Sequence, residues 1–418
     1  MFIYYILLVM LPMPDHPWWA RTVAGPITVM KLVGLACLAA AVVYLFLKGS
    51  FPSVLRAKPA RWYLIFFLVS VASYFVHLGG VTFETGIMPN LLAVLSLFIV
   101  TMIMVDSVRR LRKVALVSMA AVTIGSLYVI RQWLTFHSVY AGFRSWGGVA
   151  GDPNYYAITV VIWLPVMWYW LMHKRPALER LFLLGCAGIV IIAFAMASSR
   201  GGFLGLMGSL IFILARSRRR VRNLVIVCLL MAPLFLIPGA SPAGRLFHPD
   251  KSDQESSENR VDLWTAGMHE FENHPLFGVG WGHFQPVIIK NGVRTPLPFH
   301  VSHNTYIDLA AQLGLVGLIP FLIMLFAAFR ACGAVARKTM NTGPPDLHQT
   351  ALGMQAGILG YAIATFFLST WWQQIFWLGI FLAASMVLIE RSLAGADAHF
   401  GLIKPAETKW NQQLQSIR

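Results

Sequence analysis

The chain has 418 residues, of which 57% are apolar and only 12% charged, and a formal net charge of +16. Charge in soluble globular domains runs near a quarter of all residues, so this composition excludes a soluble domain and points to a membrane protein. The apolar residues form long continuous runs without two-residue alternation, which makes them helices and excludes a membrane barrel.

Twelve hydrophobic segments are expected, at about 2–13, 26–47, 62–79, 89–105, 114–136, 157–173, 180–197, 203–215, 222–238, 305–329, 352–368 and 372–390. The fold class is therefore all-α, a polytopic integral membrane protein of about twelve transmembrane helices with a large, partly helical outer loop. The first segment is barely long enough to span, and Pro12, Pro14 and Pro17 follow it. No small-residue cleavage site follows, so it reads as a tilted, re-entrant or anchoring segment and not as a removable signal.

Connections 48–61, 106–113, 173–180, 216–222 and 330–350 and the tail 391–418 hold 23 of the 33 Lys and Arg. These clusters fall on every second connection, the positive-inside pattern, which puts them and both termini in the cytoplasm. The net charge is thus explained by topology beside anionic lipid, and no nucleic acid partner is expected. Cys37, Cys186, Cys228 and Cys332 lie in or beside hydrophobic segments without CxxC spacing and read as small core residues.

The organisation that follows is helices one to nine over 1–238, an outer loop over 239–304, helices ten to twelve over 305–390 and a cytoplasmic tail over 391–418. Outer connection 137–156 is glycine-rich, with a turn signal at Gly151-Asp152-Pro153-Asn154. In the large loop the first third is polar and reads as irregular. Then Val261, Trp264, Met268 and Phe271 recur at helical spacing beside Arg260, the pattern of an amphipathic helix. A glycine-punctuated stretch, Pro275–Gly282, precedes His300-Val301-Ser302-His303-Asn304-Thr305-Tyr306 at the mouth of the tenth helix. No internal repeat supports an inverted-repeat transporter.

On the side poor in basic residues the chain keeps Arg131, Arg144, Arg200, Arg245, Arg260 and Arg294. Ser198-Ser199-Arg200-Gly201-Gly202 joins two hydrophobic segments almost without a loop. Arg200 therefore sits near the membrane boundary, where its planar fork of donors suits phosphate oxygens and two glycines allow close approach. The plainer reading is an arginine snorkelling to water. His303 lies before a helix start that Ser302 or Asn304 can cap. The partial positive charge there disfavours imidazolium and keeps the ring available as a base. The plainer reading is a capping or interface histidine. Asp308 lies five residues on, placed to orient an imidazole or pair with an arginine. Asp250, Asp253, Glu255 and Glu258 fit no calcium loop and read as a solvated loop. P-loop, GxGxxG and HExxH motifs are absent, so ATP hydrolysis, nicotinamide chemistry and zinc proteolysis lack support, and neither metal nor cofactor is expected.

Ser199-Arg200-Gly201-Gly202, Arg260-x-x-x-Trp264, Pro275-Leu276-x-Gly278-x-Gly280-x-Gly282-x-Phe284 and His303-Asn304-x-Tyr306, with Leu309, Gly314 and Gly317 downstream, resemble the O-antigen ligase and polymerase superfamily. The resemblance covers roughly 185–390. It implies a bacterial inner-membrane glycosyltransferase, of GT-C-like membrane type, that takes a glycan from undecaprenyl diphosphate to the lipid A-core saccharide on the periplasmic face. His303 would be the catalytic base and Arg200, Arg144 and Arg294 the diphosphate ligands, with Asp308, Asn304, Tyr306, Arg260 and Asn154 in support. An O-antigen polymerase, a protein O-oligosaccharyltransferase and a lipid-linked glycan flippase remain as alternatives. The chemistry agrees: the diphosphate is both anchor and leaving group, and fixed arginines stabilise its developing charge. A hydroxyl acceptor needs a base, and displacement without an enzyme nucleophile inverts the anomeric carbon.

Overall fold

The computed structural model describes residues 1–24, 27–48, 53–76, 87–136, 143–232, 242, 245, 251–284, 301–341 and 343–401. The helices, numbered here in chain order, are α1 (Phe2–Met10), α2 (Pro17–Ala20), α3 (Val29–Lys48), α4 (Lys58–Val76), α5 (Ile87–Met104), α6 (Val108–Phe136) and α7 (Pro153–Met172). They continue with α8 (Ala177–Ala197), α9 (Arg200–Arg216), α10 (Arg220–Met231), α11 (Lys251–Asn273), α12 (Thr305–Lys338), α13 (Pro345–Ala364) and α14 (Gln374–Gly401). Strand among the described residues is confined to a short antiparallel pair, Thr22–Ala24 with Ile27–Thr28.

Each expected segment overlaps a helix, and among the described residues seven helices are long and apolar enough to cross a membrane: α3, α4, α6, α7, α8, α12 and α14. Residues Met88–Met104 of α5 form a shorter apolar helix. The nine residues of α1 rise about 14 Å, half of a bilayer core, so this helix does not cross on its own. It packs against α3 and α6, and the Tyr4 hydroxyl meets Thr101 Oγ1 of α5 at 2.9 Å.

At the centre lies α7, buried along nearly its whole length by α8, α9 and α13. The crossings use glycine. A Cβ on Gly357 would lie 2.5 Å from Ile162 O of α7, and one on Gly205 would lie 2.5 Å from Gly360 O of α13. Lipid tails are as apolar as leucine, so helices in a membrane associate through such close backbone packing. Helix α3 is peripheral, and Phe46 and Leu47 at its end are exposed as lipid-facing residues are.

The basic connections also hold one end of the bundle together. Arg112 pairs with Glu179 at 2.7 Å and with Asp346 at 3.0 Å, and Arg175 pairs with the same two carboxylates at 2.7 and 3.0 Å. The Arg175 guanidinium lies 4.0 Å from the Trp170 ring centroid. Four charges thus tie the ends of α6, α8 and α13 opposite the end where α7 begins.

Helix α11 corrects the sequence reading twice. It begins at Lys251, so Glu255 and Glu258 lie on a solvated helix and not in a loop. Its buried stripe is Leu263, Ala266, Gly267 and Glu270, whereas Val261 and Met268 of the expected apolar face are exposed. The true face is narrower because small residues let α11 approach closely: a Cβ on Gly267 would lie 2.6 Å from Ile307.

Replacing Gly357 by valine forces α7 and α13 apart and should destabilise the protein by about 1–3 kcal/mol. Gly185→Ala, where an added Cβ meets nothing within 4 Å, should leave stability unchanged. Thermal unfolding of the two variants in the same detergent checks the contrast.

Candidate functional site

The end of the bundle where α7 begins carries the candidate site. Loop 143–152 is held there by Gln132, near the end of α6. Its amide oxygen accepts from Ser145 Oγ at 2.8 Å, Trp146 N at 3.0 Å and Gly147 N at 2.7 Å. Gly147 has φ 75° and an added Cβ would meet the α6 backbone at 2.9 Å, so only glycine serves. Asp152 caps α7 by accepting from Asn154 N at 2.7 Å, with Pro153 in the first turn.

That loop delivers Arg144 to the junction of α8 and α9. Its Nη2 donates to Asn154 Oδ1 at 3.0 Å, and Nε donates to Ala197 O at 3.4 Å. The same Asn154 oxygen accepts from Ser199 Oγ at 2.8 Å, and Ser199 Oγ in turn accepts from Gly202 N at 3.2 Å as the cap of α9. Arg245 Nη1 donates to Ser198 O at 2.8 Å. Two guanidinium groups thus hang from the last carbonyls of α8, the partly negative end of that helix. Arg200 opens α9, where the helix dipole adds to its positive charge.

The electrostatics of Arg144 show how these cations gather. Burial pushes its guanidinium down to about 10, and Arg245, Arg260 and Arg200 push the same way while Asp152 opposes them. A cation lowered in this way is still charged at neutral pH, in a field that an anion would relieve. Gly201 and Gly202 serve helix packing: added Cβ atoms would lie 2.9 Å from Phe367 Cβ and 2.5 Å from Ala157 Cβ. The close approach expected of a ligand there is taken by neighbouring segments.

The second part of the site is the turn before α12. His303 has φ 54°, and with Ser198 at φ 51° it is one of two non-glycine residues in the left-handed region among those described. Such a conformation costs about 1–3 kcal/mol and persists only where its surroundings enforce it. Here they do. Asn304 Oδ1 caps α12, accepting from Tyr306 N at 2.9 Å and Ile307 N at 3.2 Å. Ser302 N donates to Asp308 Oδ1 at 2.9 Å, and Ser302 Oγ donates to Asn304 O at 2.7 Å. The Tyr306 hydroxyl donates to Ala362 O at 2.6 Å, and Thr305 Oγ1 donates to Leu368 O at 2.8 Å. Asp308 therefore braces the backbone one residue before His303.

Helix α11 joins the two parts. Trp264 Nε1 donates to Ser302 O at 2.8 Å, while Arg260, one turn earlier, joins the arginine group. Residues four apart on a helix lie about 6 Å apart along its axis, so the same face of α11 holds the histidine turn and feeds the cation cluster. The glycine-rich stretch completes the support. Val279 N and Gly280 N donate to Ala311 O and Gln312 O at 2.9 and 3.0 Å, while Leu315 N and Val316 N donate to Pro275 O and Leu276 O at 2.8 and 3.1 Å. These bonds replace the helix ladder of α12 where it breaks at Gly314, φ 60° and ψ −160°. A Cβ at Gly314 would lie 2.4 Å from the Leu276 backbone.

The structure thus brings together Arg144, Arg200, Arg260 and Asn154, and separately ties His303 to Asn304, Tyr306 and Asp308 by one turn. Arg294 and His300 lie outside the described residues. Arg245, counted among the outer arginines but given no role, joins the group at Ser198 O. Gln132 was missed, though an amide at the end of an apolar helix was a signal to follow.

These features define an all-α polytopic membrane protein with arginines gathered at one end. Residues 184–322 match the family profile described as O-antigen ligase. An O-antigen ligase from Pseudomonas aeruginosa is 25% identical over 180 residues, 43% of this chain and 40% of that protein. Putative polysaccharide ligases from Rickettsia felis and Rickettsia conorii are each 25% identical, over 183 and 219 residues. The match spans 40%, 43% and 50% of the length of these three relatives. Over residues 184–322 the chain is similar to the O-antigen ligase family.

Inorganic pyrophosphate should raise the melting temperature of the detergent-solubilised protein, and the rise should shrink with added salt. Asn154→Ala releases both Arg144 and Ser199. It should lower stability by about 1–3 kcal/mol and remove most of the pyrophosphate effect, both read from the same melting curves.

Proposed function

We propose that the chain is an O-antigen ligase that transfers a glycan from undecaprenyl diphosphate to the saccharide of lipid A-core. The reaction is inverting, independent of metal and carried out on the periplasmic face, with both termini cytoplasmic. The observation that carries this reading is the span of α11. One helix places Arg260 among Arg144, Arg200 and Arg245 and holds the His303 turn through Trp264.

In this mechanism the arginines bind the diphosphate oxygens. Arg200 supplies a planar fork at the start of α9, Arg144 a second held by Asn154, and Arg294 is a further ligand from the outer loop. The acceptor hydroxyl oxygen attacks the anomeric carbon as His303 takes its proton. The bond from that carbon to the diphosphate oxygen breaks, and the electron pair leaves with the diphosphate. Guanidinium groups fixed beforehand favour this charge without reorganising, which is the general form of electrostatic catalysis. The strained His303 backbone, braced by Asn304, Asp308 and Tyr306, fixes where the imidazole points.

Purified protein given donor and lipid A-core should make a single joined product, and the activity should survive a chelator. His303→Ala should lower transfer by about a hundred- to ten-thousand-fold while donor binding persists, because the base acts on the acceptor. Arg200→Lys keeps charge but loses the fork and should lose most activity; near-normal transfer by this variant would reduce Arg200 to a generic cation. A ladder of lengthened donor made without acceptor would establish a polymerase instead.

The topology has its own test. In a cysteine-free background, Glu255→Cys should react with an impermeant maleimide added outside the cell, and Ser217→Cys and Met340→Cys should not. The opposite labelling would invert the topology and remove the periplasmic site.

A further inference from the structure

Immediately beside the arginine group, on another side of the α7 N-terminus, lies a pocket of about 270 Å³ with a different chemistry. Its polar and aromatic walls are Asp15, Asn90, Tyr155, Trp372, Gln373 and Gln374, and none of the residues lining it is cationic. The carboxylate accepts hydrogen bonds, and the amides both donate and accept, as neighbouring hydroxyls of a sugar require. The Trp372 and Tyr155 rings stand edge to face, with centroids 5.7 Å apart, and offer apolar faces to the C–H side of such a ring. Tyr155 also lies within electrostatic range of Asp152, Asp308 and Asp15. Asp15 lines the pocket and no cation does, whereas the Arg144 side gathers arginines.

The pocket continues into a mainly apolar groove of about 400 Å³ among α1, α3 and α5, which also carries Lys31, and the two share Leu11, Met30, Asn90 and Gln374. Leu35 and Leu92 line the groove and are exposed, so it opens sideways where lipid would lie. A polar head pocket continuous with an apolar side groove fits an amphiphile with a sugar head and hydrocarbon chain. Electrostatics selects which one. A diphosphate beside Asp15 would be repelled, whereas the arginines across α7 attract it.

We propose that this pocket and groove are the acceptor site, with an uncharged saccharide unit of a lipid-anchored acceptor in the pocket and its hydrocarbon chain in the groove. The assignment to acceptor rests on the glycosyl-transfer reading above; the binding of a sugar-headed lipid does not. The N-terminus of α7 then separates the two substrates. Asn154 holds the arginine that meets the donor, and Tyr155 walls the pocket that meets the acceptor.

The test uses the full-length protein in an amine-oxide detergent, titrated with dodecyl maltoside or dodecylphosphocholine and read by native mass spectrometry. These probes share a chain and differ in the head. The wild type should bind the maltoside about tenfold more tightly, and Asn90→Ala/Gln374→Ala should reduce that preference to about twofold or less. Gly34→Phe fills the groove, and an added Cβ there meets nothing within 4 Å, so the fold should hold. It should weaken both probes about tenfold. Equal binding of the two probes by the wild type, or a preference that survives the double substitution, would overturn the site.

A transfer assay tests the acceptor assignment separately. In the double variant the KM for acceptor should rise about tenfold while the KM for donor stays within about twofold. A rise for donor in place of acceptor would overturn the assignment. If the wild type transfers no glycan, the glycosyl-transfer reading and the acceptor assignment fail together, and the two-probe titration still decides whether the pocket takes a sugar-headed lipid.

Discussion

The structure turns on positive charge gathered at one end of an apolar bundle. Arg144 is half-buried and faces Arg245, Arg260 and Arg200. Such a group is costly unless every guanidinium is held and the field has a use. The holding is visible. The terminal carbonyls of α8 take Arg144 and Arg245, and Asn154 takes Arg144 and Ser199 with one oxygen. Arg200 is at the wrong end of its helix for a cation, since the dipole of α9 adds to its charge. In a design governed by stability alone, an acidic residue would stand there. The cation stands there beside Arg144.

Position within the site is transmitted by backbone more than by side-chain contact. The break in α12 at Gly314 lets the stretch 275–282 lie against the helix and exchange four hydrogen bonds with it. Irregular backbone at such a depth is tolerated where protein satisfies it, and here the two irregular segments satisfy each other. The consequence is that α11, which leads directly into 275–282, cannot slide along α12. Trp264 and Arg260 are then fixed relative to the His303 turn, and the two parts of the site share one frame.

Much of this could be read from the sequence, for a physical reason. Helix positions follow from hydrophobic run length, and Arg200 and His303 stand out because both lie at membrane boundaries. The grouping of Arg144 with Arg200 needed more, since it depends on Gln132 folding the glycine-rich loop back from α6. The brace that Asp308 supplies was hidden for a related reason. Spacing placed it near His303, but the left-handed turn at His303 directs the Ser302 N–H at the carboxylate. The buried face of α11 was misjudged because close packing favoured glycine and alanine over the larger residues that dominate a hydrophobicity pattern. Pattern reading weighs size, and contact in a crowded bundle weighs fit.

The order of α7 links these features. Consecutive helix residues point about 100° apart, so Asn154 and Tyr155 necessarily address different surroundings. Asn154 turns toward Arg144 and Ser199, and Tyr155 turns toward Trp372 and the polar pocket. The Asp152 cap and Pro153 fix the first turn, and burial of the rest of α7 by α8, α9 and α13 prevents rotation about its own axis. The arginine group and the polar pocket can therefore stand on two sides of one helix without merging. Their separation is set by the register of the most deeply buried helix, and this explains why a residue with no chemistry of its own, Asn154, lies at the point where both are defined.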